Sequence, residues 1–337
     1  MAKRRTKKPV TAGLGQGSER PAAASPISLR IDAGRAGKTL AAVLREQLGG
    51  LPWNQARELC RRGKVQVDGV TERDGSRRLK ADELVQLEPQ KRLRQDVLED
   101  SAVIHVDNHV LVVAKPAGVL SVRFEPEDRN TLADRARFWL RRRGGPSGDE
   151  VGAVQRLDKD TTGLLVFART LAAKRHLQQQ LRVRSVERRY LALVHGVLVT
   201  PQTIETDLVR NRGDGLRGSW GHFRKPQAAL PHDAQHAITH VRPLRAFAAA
   251  TLVECQLATG RQHQIRIHLS ERGHPLIGEP TYVRDYLGPR MDAPRPMLHA
   301  AVLGFEHPAT GRRLHFELPI PRDFEAVLER LESIRAR

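Results

Sequence analysis

The sequence predicts an α+β protein whose larger domain is a mixed, largely antiparallel β-sheet. Strand-like segments with few helices between them occupy most of the second half of the chain, and this pattern favours such a sheet. Residues 163–168 form an unbroken apolar run, which is typical of a strand buried on both faces. A chain of 337 residues usually contains two domains, and a small separate unit is expected before the sheet.

The charge balance is strongly basic. The formal net charge is +19, an excess that attracts polyanions, most simply RNA or a ribonucleoprotein. No apolar run is long enough to span a bilayer, so we expect no membrane association. The N-terminus lacks a signal-peptide core, and Cys60 and Cys255 are isolated in the sequence. We therefore expect a cytoplasmic protein, with a monomer as the default state.

Motifs for bound cofactors are missing from the sequence. There is no P-loop, no Gly-rich dinucleotide loop and no cysteine–histidine spacing typical of zinc. His263, His268 and His299 have no carboxylate or cysteine at ligand spacing, so we interpret them as hydrogen-bonding or RNA-facing. We expect neither a cofactor nor a metal ion.

Changes in composition divide the chain into four parts. Residues 1–26 predict a basic disordered tail, which either adds non-specific RNA affinity or only solubilises the chain. Residues 27–90 predict a compact unit, residues 91–100 a charged linker, and residues 101–337 the larger domain.

Local signals place the elements of the compact unit. Thr39 is a suitable N-cap for a short helix, and residues 53–62 predict a second helix that ends at Gly63. Residues 64–70 alternate as a strand and close on an Asp-Gly turn, and residues 84–87 supply another strand.

A basic cluster lies where the second helix meets the hairpin. Arg57 and Arg61 share one helix face, and Arg62 and Lys64 follow directly. Such a face either binds RNA or only solvates the helix, and the attached hairpin favours RNA binding. The segment resembles the RNA-binding domain first seen in ribosomal protein S-four, which implies a small α/β RNA-binding domain. The matching residues are Arg57, Arg61, Arg62, Gly63, Val65, Val67, Asp68 and Gly69.

The larger domain begins with a predicted hairpin at residues 103–115. Amphipathic helices are expected at residues 131–143 and, after the N-cap Thr170, at residues 171–182. A strand is expected at residues 188–195. Residues 206–232 lack clear periodicity, and we interpret them as a long surface insertion that contacts RNA.

Further elements follow the insertion. Residues 252–257 predict a strand that leads through a turn into a helix, on which Gln262 and Arg266 share one face and Ile265 and Leu269 another. Strand-like segments alternate again from about residue 295 to residue 319.

A polar turn at residues 155–162 precedes the buried strand at residues 163–168. Such a turn can hold a reactive group rigidly at the edge of a core. Alternatively, Asp158 or Asp160 only caps local backbone donors. A hydrolase that uses both carboxylates as an acid–base pair is a further alternative, although their i,i+2 spacing makes that geometry awkward.

Five segments, in the same order, resemble the motifs of the RluA-type pseudouridine synthases. The turn is similar to their His-Arg-Leu-Asp-x-x-Thr-Ser-Gly motif, and the later segments to Lys-x-Tyr-x-Ala-x-Val and to Leu-x-Thr-Gly-Arg-x-His-Gln-Ile-Arg-x-His. The resemblance extends from about residue 103 to residue 324. The matching segments are residues 107–118, 155–163, 188–194, 257–268 and 298–311.

The resemblance implies an isomerase that converts uridine in RNA to pseudouridine on a pseudouridine synthase fold, without a cofactor. It implies that Asp158 is the catalytic carboxylate and that Arg266 forms its ion pair. It also implies that Tyr190 stacks on the target base and that Arg156 takes the space of the extruded base. Attack on the base, attack on the sugar and abstraction of a ribose proton all stay open for Asp158.

Some positions differ from the family pattern. Gln155 replaces His, Thr162 replaces Ser and Arg188 replaces Lys. Residues 278–283 replace a Gly-Asp-x-x-Tyr-Gly segment, and we expect this larger change to affect the local loop and the RNA recognised, but not the catalytic aspartate.

Large-subunit ribosomal RNA is the expected substrate, because family members with a leading RNA-binding module mostly act there. A transfer-RNA pseudouridine synthase is the alternative. A non-catalytic RNA-binding or ribosome-assembly protein on the same fold is a third hypothesis.

Overall fold

The computed structural model describes residues 27–61, 63–72, 74–88, 97–126, 128–144, 151–223 and 229–335. The predicted tail and most of the predicted linker lie outside these residues. By its internal contacts the chain divides into two compact units, Met1–Arg94 and Gln95–Arg337.

The first unit contains an antiparallel sheet in the order β1-β4-β2-β3 and two helices. Its elements are β1 Ile27–Arg30, α1 Leu40–Gln47, α2 Trp53–Arg61, β2 Val65–Val67, β3 Val70–Thr71 and β4 Leu84–Leu87. The Thr39 side chain accepts a hydrogen bond from Ala42 N, which confirms the predicted N-cap. Asp68 and Gly69 both have positive φ, as a two-residue hairpin turn with the twist of its strands requires.

The second unit contains an eleven-stranded sheet among its described residues. Its strands are β5 Val103–Val106, β6 Val110–Lys115, β7 Gly152–Ala153, β8 Thr162–Ala168, β9 Glu187–His195, β10 Gln202–Val209, β11 Gly218–Ser219, β12 Gln235–Ala246, β13 Ala250–Leu257, β14 Leu298–Glu306 and β15 Arg313–Glu317. Its helices are α3 Leu132–Arg142, α4 Leu171–Arg182, α5 Gln264–Glu271 and α6 Arg322–Arg335, and a 3-10 turn spans Asp100–Ala102.

The strand order is β11-β10-β12-β13-β9-β14-β8-β6-β5, with β15 beside β14 and β7 beside β8. Within the described residues the pairing is antiparallel except between β14 and β8, so the mixed, largely antiparallel prediction is confirmed. At this parallel junction Gly163 has a φ of +121°, and a Cβ there would lie 2.3 Å from Ala300 O. Glycine is therefore required where the two strands meet.

Apolar side chains of β8 alternate between the two faces of the sheet, and the whole strand is buried as predicted. Leu165 and Phe167 pack on the face covered by α3 and α5. Leu164 and Val166 pack on the opposite face with α4 and β15. Tyr190 of β9 shares the first face, which is the face that carries the site described below.

The predicted surface insertion at residues 206–232 is partly wrong. β10 continues to Val209 and pairs with both β12 and β11, so this part belongs to the sheet. The loop between β10 and β11 is held by the buried Arg212 side chain, which pairs with Asp214 and Glu271. The strand was missed because its alternation places acidic and threonine side chains between few apolar ones.

Two further elements, β12 and α6, were not predicted. β12 is rich in histidine and arginine, and its apolar positions become evident only once its neighbours are known. α6 buries Phe324, Val327 and Leu331 against the sheet. A third difference concerns α5, which begins at Gln264. Gln262 therefore lies in the preceding turn and does not share a helix face with Arg266.

Candidate active site

Asp158 lies in the loop between β7 and β8, at the edge of the core. Buried donors hold the backbone on both sides of it. Ser121 Oγ donates to Leu157 O at 2.7 Å and accepts from Leu157 N at 3.0 Å. Arg295 Nη1 donates to Asp160 O at 3.3 Å. The backbone position of Asp158 is therefore fixed by side chains distant in sequence.

Lys115, at the end of β6, is the main anchor of this loop. Its ammonium donates to Lys159 O at 2.7 Å, to Thr161 O at 2.9 Å and to Pro116 O at 2.9 Å. The residue is 2% exposed, and burial lowers the pKa of Lys115 to about 7, against the opposing effect of the Asp160 and Asp158 carboxylates. Lys115, which lies in the motif-like segment at residues 107–118, thus supports the Asp158 loop.

Arg266 of α5 lies between two carboxylates. Its Nη1 is 3.5 Å from Asp158 Oδ2, so the predicted ion pair is present. Its closer partner is Glu279, whose carboxylate accepts from Nε at 2.8 Å and from Nη2 at 2.7 Å. Burial lowers the pKa of Arg266, but the Glu279 hydrogen bonds and both carboxylates raise it further, above its usual range. The guanidinium is therefore permanently charged and oriented mainly by Glu279.

The Glu279 carboxylate accepts four hydrogen bonds. Besides the guanidinium, its Oε1 accepts from Thr281 N at 3.0 Å and from Tyr282 N at 3.2 Å. The side chain is fully buried. Residues 278–283 therefore belong to the support of Asp158, through Glu279 and Arg266. The expectation that their departure from the family pattern does not affect the catalytic aspartate stays a prediction. Arg266 and Glu279 are 13 residues apart in the sequence, and nothing local to either residue shows that they meet.

The turn before α5 brings a third group towards Asp158. His263 has a left-handed backbone, its Nδ1 lies 2.8 Å from the Tyr282 hydroxyl, and its Nε2 lies 4.0 Å from Asp158 Oδ1. Burial lowers the pKa of His263, although Asp158 opposes that shift. Gln264 holds the turn by accepting from Arg261 N and donating to Ile238 O, at 2.9 Å each.

Tyr190 is both a core residue and a wall of the site. It is 6% exposed, packs in the main apolar cluster and lines the cavity around Asp158. Burial raises the pKa of Tyr190 to about 12. Its phenol is therefore protonated at neutral pH. Tyr190 therefore packs in the core and also lines the cavity, and its role in base stacking stays a prediction.

A cavity of about 880 Å³ opens over these residues. Asp158, Tyr190 and Arg266 line it, as does the exposed Arg156, which makes no hydrogen bond or ion pair with the described part of the chain. The Asp158 carboxylate accepts no hydrogen bond from any described residue, so its lone pairs face the cavity without a fixed partner.

The alternative interpretation of Asp158 and Asp160 as backbone caps finds no support. Neither carboxylate accepts from a backbone N–H in the described residues. Asp160 contributes its carbonyl oxygen to Arg295. Lys115, Ser121, Arg295 and Glu279 were not predicted as site residues, because nothing local to their sequence shows contact with the Asp158 loop.

The predicted basic cluster lies in the first unit. Arg57 is exposed on α2, and Lys64 is half-buried between α2 and β2. The side chain of Arg61 and all of Arg62 lie outside what the structure describes. RNA binding by this cluster stays a prediction.

His268 and His299 of the second unit are hydrogen-bonded to protein groups. His268 lies between Thr239 and Thr206, and His299 Nδ1 lies 2.8 Å from Thr162 Oγ1. Among the described residues there is no group of three or more histidine, cysteine, aspartate or glutamate side chains that could hold a metal ion. No helix within the described ranges has the length and apolar character needed to cross a membrane.

Comparison with known proteins gives consistent similarities. The family model described as RNA pseudouridylate synthase matches residues 109–271. The protein named ribosomal large subunit pseudouridine synthase D of Xanthomonas campestris is 34% identical over 317 residues, which cover 90% of this chain and 91% of that protein. Its namesake in Pseudomonas aeruginosa is 36% identical over 256 residues, covering 72% and 75%.

A Bacillus subtilis protein described as an uncharacterized RNA pseudouridine synthase is 34% identical over 285 residues, which cover 83% of this chain and 89% of that protein. The solved structure of human RNA pseudouridylate synthase domain containing 4 has a TM-score of 0.55 and 24% identity, and covers 69% of this chain and 93% of that one. This last likeness concerns the fold.

The fold and these similarities define an RNA-modifying isomerase. The chain belongs to the RNA pseudouridylate synthase family, and its reaction is the conversion of uridine to pseudouridine in RNA.

Proposed function

We propose that this protein modifies uridines of large-subunit ribosomal RNA and that Asp158 is its catalytic carboxylate. The observation that carries the second part is the position of Asp158, fixed by buried donors, paired with Arg266 at 3.5 Å and open to the cavity. The names of the relatives support the first part.

The reaction breaks the bond from ribose to uracil nitrogen, turns the base, and forms a bond from ribose to uracil carbon. An ionised carboxylate can act on the sugar or base as a nucleophile, or remove a proton as a base. The Arg266 guanidinium lies 3.5 Å from Asp158 Oδ2, so it is an electrostatic partner that forms no short hydrogen bond with the carboxylate. The two hydrogen bonds to Glu279 hold the Arg266 guanidinium in place, so it does not move closer to form a short hydrogen bond with Asp158.

The target uridine must leave the RNA stack to reach this loop. We propose that Tyr190 stacks on the extruded base, since its ring lines the cavity and base–aromatic stacking is worth about 1–3 kcal/mol. Arg156, exposed and without a protein partner in the described residues, is suited to fill the space left in the RNA.

The remaining expectations belong to the same proposal. The first unit adds RNA affinity through Arg57, Arg61, Arg62 and Lys64, and the protein acts as a cytoplasmic monomer. Cys60 and Cys255 are buried free thiols, as suits a reducing compartment.

The test uses RNA with tritium at the 5-position of uridine, since forming the new carbon–carbon bond must release that tritium. Wild type and Asp158→Asn are compared on ribosomal RNA from cells lacking the enzyme and on bulk transfer RNA. We expect release from ribosomal RNA by wild type alone.

Release from transfer RNA only would replace the proposed substrate. Equal release by Asp158→Asn would remove Asp158 from the chemistry. Folded wild type that binds both RNAs without release would favour a non-catalytic RNA-binding protein.

A further inference from the structure

Arg188 is a buried cation in the wall of the cavity. It lies on β9 two residues before Tyr190, so both side chains are on the same face of the sheet. It is 6% exposed. Its Nη2 donates to Leu257 O at 3.2 Å and to Ala258 O at 3.3 Å.

The rest of its hydrogen-bonding capacity is unused by the described residues. Nε is shielded from solvent and has no acceptor. No described carboxylate pairs with the guanidinium, and Arg261 is a nearby like charge. Burial lowers the pKa of Arg188, and the nearby charge of Arg261 lowers it further. A buried charge normally has an ionic partner, because leaving it unpaired is costly.

The turn beside Arg188 is shaped to admit the guanidinium. A Cβ at Gly260 would lie 2.6 Å from Arg188 Nη1. Gly260 itself is exposed and lines the cavity. Any larger residue at this position would push the guanidinium away from the opening, so the glycine keeps Nη1 at the cavity wall.

The surrounding wall is basic. Arginine and lysine outnumber aspartate and glutamate among the lining residues. The basic residues are Arg156, Lys159, Arg182, Arg184, Arg261 and Arg266. An anion that enters the cavity is therefore attracted electrostatically by Arg188 and by the other basic residues of the wall.

We propose that Arg188 binds a backbone phosphate next to the target uridine. A neutral uracil carbonyl could accept a hydrogen bond but would leave the buried charge uncompensated, whereas a phosphate supplies both acceptors and opposite charge. Oxygens of one phosphate can accept from the N–H groups of Nη1, the guanidinium nitrogen beside the exposed Gly260. That the phosphate belongs to RNA rests on the proposed function, whereas the existence of an anion site at Arg188 does not.

The first experiment measures thermal unfolding of the full chain with inorganic phosphate, against sodium chloride at equal ionic strength. The variants are Arg188→Met, which removes the charge, and Arg188→Lys, which keeps it without the fork. Arg175→Met, an exposed position on α4 away from the cavity, is the matched control. We expect phosphate to raise the Tm of wild type and Arg175→Met more than that of Arg188→Met, with Arg188→Lys between them.

The second experiment measures tritium release from ribosomal RNA at varied RNA concentration. Arg188→Met should raise KM roughly 10- to 100-fold, as expected for a lost charge-assisted hydrogen bond, with a smaller change in kcat. The Tm of Arg188→Met without phosphate should stay close to that of wild type, because removal of an unpaired buried charge offsets the loss of the two hydrogen bonds to Leu257 O and Ala258 O.

An equal phosphate shift in wild type and Arg188→Met would overturn the proposal. So would failure of both Arg188→Met and Arg188→Gln to fold while Arg188→Lys folds, because the charge would then stabilise the protein by itself. A phosphate shift that depends on Arg188, in a protein inactive on every RNA tested, would leave the anion site standing and refute the proposed function.

Discussion

One guanidinium serves two carboxylates in this site. Glu279 takes two N–H groups of Arg266, and Asp158 faces a third at a longer distance. The shorter, bidentate pair is the stronger one. Glu279 therefore fixes the position of the Arg266 guanidinium. Asp158 has this charge as an electrostatic partner without forming the hydrogen bonds that orient it.

Glu279→Gln should break this arrangement. In a glutamine an NH2 group replaces one carboxylate oxygen, so it would face the Nε–H donor of Arg266 or the backbone N–H groups of Thr281 and Tyr282, and the negative charge is lost. We expect a loss of about 3–5 kcal/mol in the free energy of unfolding, and a fall in kcat of tenfold or more by the usual conversion of about 1.4 kcal/mol. Urea unfolding and tritium release measure the two effects.

Glu279→Asp keeps the charge and should recover most of both quantities. The control is Glu329→Gln, an exposed carboxylate on α6, which should stay within about 0.5 kcal/mol of wild type. Wild-type stability and kcat in Glu279→Gln would refute the role given to Glu279.

Lys115 supports the same loop through its backbone. Lys115→Met leaves the carbonyls of Lys159 and Thr161 without their buried donor, and each unsatisfied acceptor costs about 1–3 kcal/mol. We expect lower unfolding free energy and a lower kcat with little change in RNA affinity, because Lys115 does not reach the solvent. Lys80→Met, at an exposed site in the first unit, is the comparison. A stable variant with normal kcat would show that the loop holds its shape without this anchor.

At the scale of elements, α5 is fixed to the sheet by a neutral histidine. His268 is fully buried, and its two ring nitrogens lie 2.9 Å from Thr239 Oγ1 on β12 and 3.0 Å from Thr206 Oγ1 on β10. Burial lowers the pKa of His268 to about 4, with a smaller effect from Arg272. The helix that carries Arg266 therefore depends on an uncharged imidazole.

Acid should loosen this attachment. The folded pKa lies below the unfolded value, so the unfolded chain binds the extra proton first. Stability from this group is complete above about pH 6.5 and is lost as the pH falls towards 4, by roughly 3 kcal/mol in total. Unfolding free energies at several pH values should show a flatter acid limb for His268→Gln than for wild type and the exposed control His222→Gln. Parallel acid limbs in all three proteins would contradict this assignment.

The elements that sequence predicts well are those with local signals. Thr39 and Thr170 cap the helices expected after them, and Thr131, expected as the first residue of its helix, is the N-cap; in each the side chain accepts a backbone N–H. β10, β12 and α6 lack such clear sequence signals. Which of their residues are buried depends on elements distant in the chain.

The site shows the same division. Asp158 and Arg266 could be matched through motif resemblance. The anchors Lys115, Ser121 and Arg295 could not, because what selects them is contact with carbonyl oxygens that no sequence pattern displays.

At the scale of the whole molecule, the net charge of +19 governs RNA association. We expect the logarithm of affinity to fall linearly with the logarithm of salt concentration, with a slope of about 0.7–0.9 per phosphate contacted. Filter binding of ribosomal RNA between low and moderate salt measures it. Asp158→Asn should leave this slope unchanged.

Charge reversal in the basic cluster tests whether the first unit binds RNA. Replacing Arg57, Arg61 and Arg62 together by Glu should weaken RNA binding and reduce the salt slope, while tritium release from a minimal stem-loop changes far less. Replacing exposed Arg175 by Glu on α4 controls for loss of charge alone. Unchanged affinity in the triple variant would refute this placement of the RNA-binding face.

In the sheet, β14 lies between β8 and β9, and this order has a consequence for biosynthesis. Asp158 precedes β8 and Tyr190 lies on β9, yet neither strand pairs with the other: β14 separates them. Their spacing can form only after residues 298–306 have left the ribosome. A growing chain, already basic and close to ribosomal RNA, therefore cannot modify it before residue 306 has left the ribosome.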